Sequence, residues 1–222
     1  MLNRSVQRKE TERGNALFLI LIAVVLFAAL SFAITQSNRS TGSSAGEETN
    51  TVSGSNVTQY ASAVRTGITR MLVRGNVLED LFFDQPGDSG YTTNPTRQVF
   101  HPQGGAVVFQ SPDSNLVETG GQWYFFFANV KDMATSSLDA VAVLTKVKRG
   151  VCQQINRNIF GSTTVSPLGT AITDATIVAA TYNSASPVAN TFDFGTTPNK
   201  PYGCFTSDSG TQFNYLHVLA EQ

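Results

Sequence analysis

The chain has 222 residues, of which 14% are charged and 41% are hydrophobic, and its formal net charge is −1. The charge is uneven, because residues 40–222 alone carry a net charge of −4. Nucleic-acid binding requires a basic surface, so this balance argues against a nucleic-acid ligand.

An apolar segment, Ala16–Ile34, follows a polar leader that contains Arg4, Arg8, Lys9 and Arg13. The apolar segment has nineteen residues and no charge. A helix rises about 1.5 Å per residue, so a bilayer core of ~30 Å requires about 20 apolar residues. Basic residues before such a helix favour a cytoplasmic leader. The sequence therefore predicts one membrane-spanning helix near the N-terminus.

A stretch rich in Ser, Thr and Gly, residues 37–56, separates this helix from a second apolar pattern. Composition of this kind predicts a flexible connection or a poorly formed helix. Between residues 57 and 82, apolar residues recur mostly at three- and four-residue steps, which predicts an amphipathic helix near residues 56–83 that ends at the turn Asp84–Gly87. The residues of this apolar pattern are Val57, Tyr60, Ala61, Val64, Ile68, Met71, Leu72, Leu78, Leu81 and Phe82.

The remainder of the chain contains strand patterns and one further helical pattern. Aromatic and β-branched content predicts strands, and helical spacing ended by Gly161 predicts a second helix. The predicted strands are Ala106–Phe109, Gln122–Val130, Ala175–Tyr182 and Phe213–Ala220, and the predicted helix is Leu138–Phe160. The expected fold class is α+β, with a long N-terminal hydrophobic helix, an amphipathic continuation and a β-rich head.

The two cysteines, Cys152 and Cys204, both follow the apolar segment. If this part of the chain is exported, an oxidising compartment favours a disulfide between them. Closing a loop of that length with a disulfide would stabilise the folded chain by about 4 kcal/mol in the chain-entropy model. The alternative is two buried free thiols.

Residues with catalytic or metal-binding chemistry are few and scattered. His101 and His217 have no companion at metal-ligand spacing, so both are interpreted as structural. Asp84 and Asp88 flank a Pro-Gly turn and are interpreted as solvated turn residues rather than a calcium site. The Cys pair lacks Cys-x-x-Cys spacing, which argues against a redox role. We therefore expect no enzymatic activity, no cofactor and no metal.

The junction between the leader and the apolar segment carries a more specific pattern, since Arg13-Gly14-Asn15 directly precedes Ala16 and Leu17. This junction resembles the class III signal of type IV pilins and type II secretion pseudopilins. The resemblance implies cleavage after Gly14 by a prepilin peptidase, which leaves Asn15 as the first mature residue. The order of helix, amphipathic helix, β-rich head and C-terminal cysteine pair also resembles the pilin plan.

The resemblance implies a structural subunit that leaves the bacterial inner membrane and joins an extracellular filament or periplasmic pseudopilus with other pilin-like subunits, as a homo- or hetero-oligomer. Its domains would be a leader (1–14), a transmembrane and assembly helix (15–36), the connection (37–56) and a head domain (57–222). The residues expected to make assembly contacts are Leu17, Phe18, Leu19, Ile20, Leu21, Ile22, Val24, Val25, Leu26 and Phe27.

Three features depart from the family pattern. Most pilins have Glu at the fifth mature position, which is Leu19 in this chain. Asn15 replaces the usual Phe or Met at the first mature position. A Gly- and Ser-rich stretch at 37–46 is expected to interrupt the long helix. The missing Glu favours a minor or atypical subunit.

Two plainer interpretations remain open. Small residues around Ser31-Phe32-Ala33 suit cleavage of an ordinary secretory signal peptide. The apolar segment is also long enough to be a simple, uncut membrane anchor. Either would leave a periplasmic or secreted binding domain, whose ligand patch would lie in the loops at 84–121 or 162–210.

Overall fold

The structure is a computed structural model, and it describes five ranges of the chain: residues 11–131, 138–167, 173–179, 188–194 and 200–221. Most of the predicted leader, residues 1–10, lies outside the described residues. The chain divides into two compact units, Met1–Glu48 and Thr49–Gln222. We call the second the head unit.

The described elements are mixed α and β, which confirms the predicted fold class. In chain order they are α1 (Thr11–Val73), β1 (Trp123–Val130), β2 (Asp139–Leu144), α2 (Arg149–Phe160), α3 (Asp174–Ala179), β3 (Val188–Phe192), β4 (Tyr202–Ser207) and β5 (Gln212–Ala220). Short 3₁₀ turns occur at Leu78–Asp80, Pro95–Arg97 and Asp208–Gly210. Strands β1 and β5 coincide with two of the predicted strands.

The five strands form one sheet in the order β3-β1-β2-β5-β4. All neighbours are antiparallel except β1 and β3, which are parallel. Side chains alternate between the two faces of a strand, and both faces of this sheet are buried. Strand β2 shows this most clearly, because all six of its residues are buried.

One face of the sheet packs into a cluster with helices α1 and α2, which we call the helix-side cluster. Alternate residues of β1, such as Trp123 and Phe125, meet Val64 and Ile68 of α1 and Ile155 of α2 in this cluster. Burying one such side chain contributes about 1.5–3 kcal/mol. This cluster is therefore a major source of the stability of the head unit.

The intervening residues of the same strands form a second cluster on the opposite face. Phe126 of β1, Val141 of β2 and Leu216 of β5 meet Ile177 of α3 there. The head unit is therefore layered, with helices on both faces of the sheet.

The predicted interruption of the first helix is not present, because the backbone is helical throughout residues 37–56. Gly54 shows the role of one of the small residues in this stretch. A Cβ atom at Gly54 would lie 3.0 Å from Cγ1 of Ile155, so the glycine allows α1 to approach α2 closely. Ser53 is also buried. These small residues serve packing rather than flexibility.

Helix α1 ends at Val73, earlier than the apolar spacing predicts. Gly75 has φ +92°, a left-handed conformation that stops helices, and the Asn76 N–H donates to the Met71 carbonyl at 3.1 Å. Leu78 begins a short 3₁₀ turn, Leu78–Asp80, and Leu81 directly follows it, so the three-residue spacing continues without an α-helix. The spacing of apolar residues around this turn therefore resembles the period of an α-helix.

The predicted helix Leu138–Phe160 is correct only in its second half, which is α2. Its first half is strand β2, whose residues are apolar on both faces and so lack the alternating pattern of a half-exposed strand. The predicted strand Ala106–Phe109 is not a strand, and the described part of Ala175–Tyr182 is helix α3. Residues 180–182 lie outside the described residues.

Candidate functional site

No part of the apolar segment Ala16–Ile34 is buried within the chain, so its apolar side chains are exposed on all sides of the helix. The exposed fractions of its large hydrophobic residues run from 39% at Ile22 to 72% at Phe27. The mean hydropathy is 3.1, so by length and composition this helix can cross a membrane, although a signal sequence meets the same criteria. An uncharged surface of this size requires apolar surroundings.

All of the residues expected to make assembly contacts lie in this exposed segment. They are Leu17, Phe18, Leu19, Ile20, Leu21, Ile22, Val24, Val25, Leu26 and Phe27. Leu19 is 60% exposed, in line with its neighbours, so the position usually held by Glu is here part of an uninterrupted apolar surface. Gly14 lies within helix α1, and the side chain of Asn15 lies outside the described set. Assembly contacts and cleavage stay predictions.

Cys152 of α2 and Cys204 of β4 form a disulfide, as predicted. Their Cα atoms are 5.4 Å apart, and both residues are buried. The bond fixes α2 to the edge strand β4 of the sheet. Disulfides persist in oxidising compartments, so this bond favours an oxidising, extracytoplasmic environment for the head unit.

The buried side chain of Asn156 makes a second link between α2 and β4, which no sequence pattern indicated. Its Nδ2 donates to the Cys204 carbonyl at 3.1 Å, and its Oδ1 accepts from the Cys204 N–H at 2.8 Å. The same Nδ2 donates to the Thr164 carbonyl at 3.1 Å. The amide therefore pairs backbone groups of an edge strand, which protects that edge from pairing with other chains.

A groove of about 640 Å³ lies beside α1 in the head unit. Its lining residues come from α1, from the loop before β1 and from the start of β1: Asn56, Val57, Gln59, Tyr60, Ala63, Gln110, Ser111, Pro112, Asp113, Leu116 and Trp123. The rings of Tyr60 and Trp123 are 5.2 Å apart and almost wholly buried, so they form an apolar base.

The loop side of the groove is held in place by contacts with α1. The Gln110 N–H donates to the Tyr60 hydroxyl at 3.2 Å. Burial raises the pKa of Tyr60 to about 12, so its phenol is neutral. A Cβ atom at Gly67 would collide with Val107, so this glycine allows the loop to approach α1 closely. These contacts indicate a groove that is already formed.

Three primary amides line the groove, those of Asn56, Gln59 and Gln110. All three residues are exposed, and their side chains have no hydrogen-bond partner among the described residues. Asp113 supplies the one carboxylate among the described lining residues, and its Oδ1 accepts from the Asn115 N–H at 2.7 Å. No lysine or arginine belongs to that described lining.

His217, interpreted from sequence as structural, is buried in β5 and faces the helix side of the sheet. Its Nδ1 is 2.7 Å from the Tyr215 hydroxyl, and its ring stacks on Tyr202 at 5.0 Å. Burial, together with the nearby positive charge of Arg65, lowers the pKa of His217 from 6.5 to about 4. The imidazole is therefore neutral in the folded head unit at neutral pH.

The other residues considered for chemistry hold turns together. The Asp84 carboxylate accepts from Gln98 Nε2 at 2.7 Å, and the Asp88 carboxylate accepts from the Gln85 N–H at 2.8 Å. His101 Nδ1 accepts from a backbone N–H two residues later. Within the five described ranges, no group of three His, Cys, Asp or Glu side chains could hold a metal ion.

Comparison with known proteins does not identify the chain, because no family model, curated protein or solved structure matches it. The order of an apolar N-terminal helix, a further helix, a β-sheet and a disulfide is compatible with a pilin-like architecture. No family match confirms that resemblance.

Proposed function

We propose that the chain is a non-catalytic, pilin-like structural subunit that enters the membrane and then a filament or pseudopilus through its apolar segment. The observation that supports this most is the uncharged helix Ala16–Ile34, none of which is buried, followed in the same chain by a disulfide-bonded α+β head unit. The resemblance of the Arg13-Gly14-Asn15 junction to a class III signal supports the same proposal.

In this proposal the apolar segment has two successive environments. Lipid covers it in the bacterial inner membrane, and the helices of other pilin-like subunits cover it after assembly. Because exposing one Leu or Phe side chain to water costs about 1.5–3 kcal/mol, the segment has to pass between these environments without being hydrated. A prepilin peptidase would remove residues 1–14, and the disulfide favours placing the head unit outside the cytoplasm.

Leu19 gives the proposed assembly a particular character. An acidic residue in an apolar helix bundle is costly unless it is paired, and it also fixes the stagger of neighbouring helices. With Leu19 at this position, shape and packing of the apolar side chains must set the stagger. This favours a minor or atypical subunit over a standard major pilin.

The proposal is tested by placing a charge in the apolar segment of the full-length protein. Phe18→Asp should prevent incorporation into sheared surface filaments or pseudopili, because an unpaired carboxylate is disfavoured in the packed helices. Val73→Asp is the matched control, since Val73 is an 83% exposed apolar residue in the head unit. Immunoblotting of the sheared fraction measures incorporation, and thermal unfolding of the head unit checks its integrity.

Equal incorporation of Phe18→Asp and the unmodified protein would contradict the proposal. Absence of the unmodified chain from purified filaments would contradict a role as major subunit. Leu19→Glu provides a finer test, because an acid at this position should change assembly while the head unit unfolds as before.

A membrane-anchored or secreted binding domain is the second candidate function. The preformed groove beside α1, whose amides have no hydrogen-bond partner in the part of the chain that the structure describes, is the observation that favours it. The mature N-terminus separates these functions: a start at Asn15 supports the pilin-like subunit, an intact Met1 supports a plain anchor, and a start at Ile34 supports a secreted domain.

A further inference from the structure

The groove beside α1 combines an apolar base with a rim of uncharged hydrogen-bonding groups. Tyr60 and Trp123 form the base, while the amides of Asn56, Gln59 and Gln110 line the rim. We propose that this groove is a binding site for a neutral saccharide of two or three sugar units. The proposal rests on the head unit alone and does not depend on filament assembly.

The charges of the groove select against ionic ligands. Its described lining includes no lysine or arginine, so it lacks the partners that a phosphate or carboxylate ligand requires. Asp113 would repel an anion, and its Oδ1 is already engaged by the Asn115 N–H. A neutral ligand fits these surroundings best.

The polar rim matches the hydrogen-bonding pattern of sugar hydroxyl groups. Each primary amide offers two donors and one accepting oxygen, and each sugar hydroxyl offers one donor and two accepting lone pairs. Asn56, Gln59 and Gln110 have no partners for these groups among the described residues, so a ligand does not have to break hydrogen bonds within the protein. Tyr60 and Trp123 line the groove with 8% and 5% of their surface exposed, so they offer a small apolar patch to the C–H groups of a sugar ring.

The size of the groove suits a small saccharide. A volume of about 640 Å³ lies within the ordinary range for small-ligand sites, roughly 300–1,000 Å³. Strand β1 is paired with β2 along Trp123–Ala128 but with β3 only along Ala128–Val130. An extended peptide is therefore the competing ligand that the binding experiment has to separate from a saccharide.

Trp123 makes the proposal directly measurable, because it is the one tryptophan in the chain. The full-length protein in phosphatidylcholine nanodiscs, without glycoside detergent, would be titrated with maltotriose, chitotriose and lactose while Trp123 emission is recorded. We expect a saturable change in emission with at least one of these neutral sugars.

A variant that fills the groove provides the decisive comparison. Ala63→Phe should weaken saccharide binding at least about tenfold, because Ala63 lines the groove. Thr66→Phe is the matched control on the exposed side of α1, outside the described lining, and should bind as the unmodified protein does. Gln59→Leu should weaken binding without changing the thermal midpoint.

Three results would overturn the proposal. One is the absence of a saturable change with every sugar tested. Another is equal binding by the Ala63→Phe and Thr66→Phe variants. The last is a response to an acidic sugar such as sialyllactose, or to an uncharged peptide, that exceeds the response to the neutral sugars. None of these results bears on filament incorporation, which the Phe18→Asp experiment measures separately.

Discussion

Two regions of helix α1 use apolar residues in different ways. In the apolar segment Ala16–Ile34, apolar residues surround the helix and all are exposed, Leu19 by 60%. In the head unit, α1 buries one stripe of apolar residues that includes Val64 and Ile68, each with an exposed fraction of 0%. The stripe packs against the core of the head unit, whereas no residue of the apolar segment is buried.

This difference indicates what each region contributes to stability. A stripe of apolar residues stabilises the fold that it packs against. A helix that is apolar all round is stable only inside a membrane or among other helices. Changes in the stripe should therefore act on unfolding of the head unit, and changes in the apolar segment should act on membrane insertion and assembly.

The largest expected effect comes from placing a charge in the stripe. Ile68→Asp should destabilise the head unit by at least about 4 kcal/mol, because it removes a buried side chain and buries an unpaired carboxylate. Leu21→Asp, the matched change in the apolar segment, should leave head unfolding unchanged and reduce the membrane-bound fraction. Circular dichroism during denaturant unfolding and membrane fractionation measure the two effects. Loss of head stability in Leu21→Asp would contradict the separation of roles.

Removal of the disulfide should have the next largest effect, again confined to the head unit. The bond spans 52 residues, for which the chain-entropy model gives about 4 kcal/mol. A Cys152→Ala, Cys204→Ala double variant should lose that stability in guanidinium unfolding, whereas its membrane-bound fraction should not change. Equal unfolding midpoints of the unmodified protein with and without reductant would contradict this expectation.

Acid should weaken the head unit through His217. Its pKa is lowered to about 4, so the unfolded chain takes up a proton below pH 6.5 while the folded head unit does not. The stabilisation is complete above pH 6.5 and is lost as the pH falls toward 4, by about 2–3 kcal/mol in total. Guanidinium unfolding at pH 7.5 and pH 4.5 measures the loss. His217→Gln should show a smaller pH dependence than the unmodified protein, and an equal dependence would contradict this role.

The smallest effect is expected at the amide that pairs the edge of β4. Asn156→Ala should cost about 2 kcal/mol, because it leaves the buried N–H and carbonyl of Cys204 without their partner. Asn158→Ala on the exposed side of α2 is the matched control and should change stability by less than about 0.5 kcal/mol. Equal thermal midpoints for the two variants would show that Asn156 does not stabilise this edge.

Sequence patterns predicted the parts of the fold that have one buried face or a distinctive composition. The amphipathic stripe from Val57, the aromatic strand β1, the final strand β5 and the Cys152–Cys204 disulfide all have such signals. Strand β2 was missed because both of its faces are buried, which removes the alternating pattern.

Other features depend on contacts between distant parts of the chain and leave little local signal. From sequence alone, Gly54 resembles a helix breaker. In the structure it allows close packing against Ile155. The groove joins Tyr60 to Gln110, and the pairing of Asn156 with Cys204 spans two elements. Sequence spacing does not indicate which distant residues lie close together, so neither the groove nor the edge pairing could be predicted from sequence.

The central claim is that the apolar segment belongs to a processed, pilin-like subunit, and the mass of the mature N-terminus tests it most directly. Top-down mass spectrometry of the protein purified from its native membrane or filament should give a chain that begins at Asn15, with or without N-methylation. A chain that begins at Ile34, or one that retains Met1, would contradict the claim.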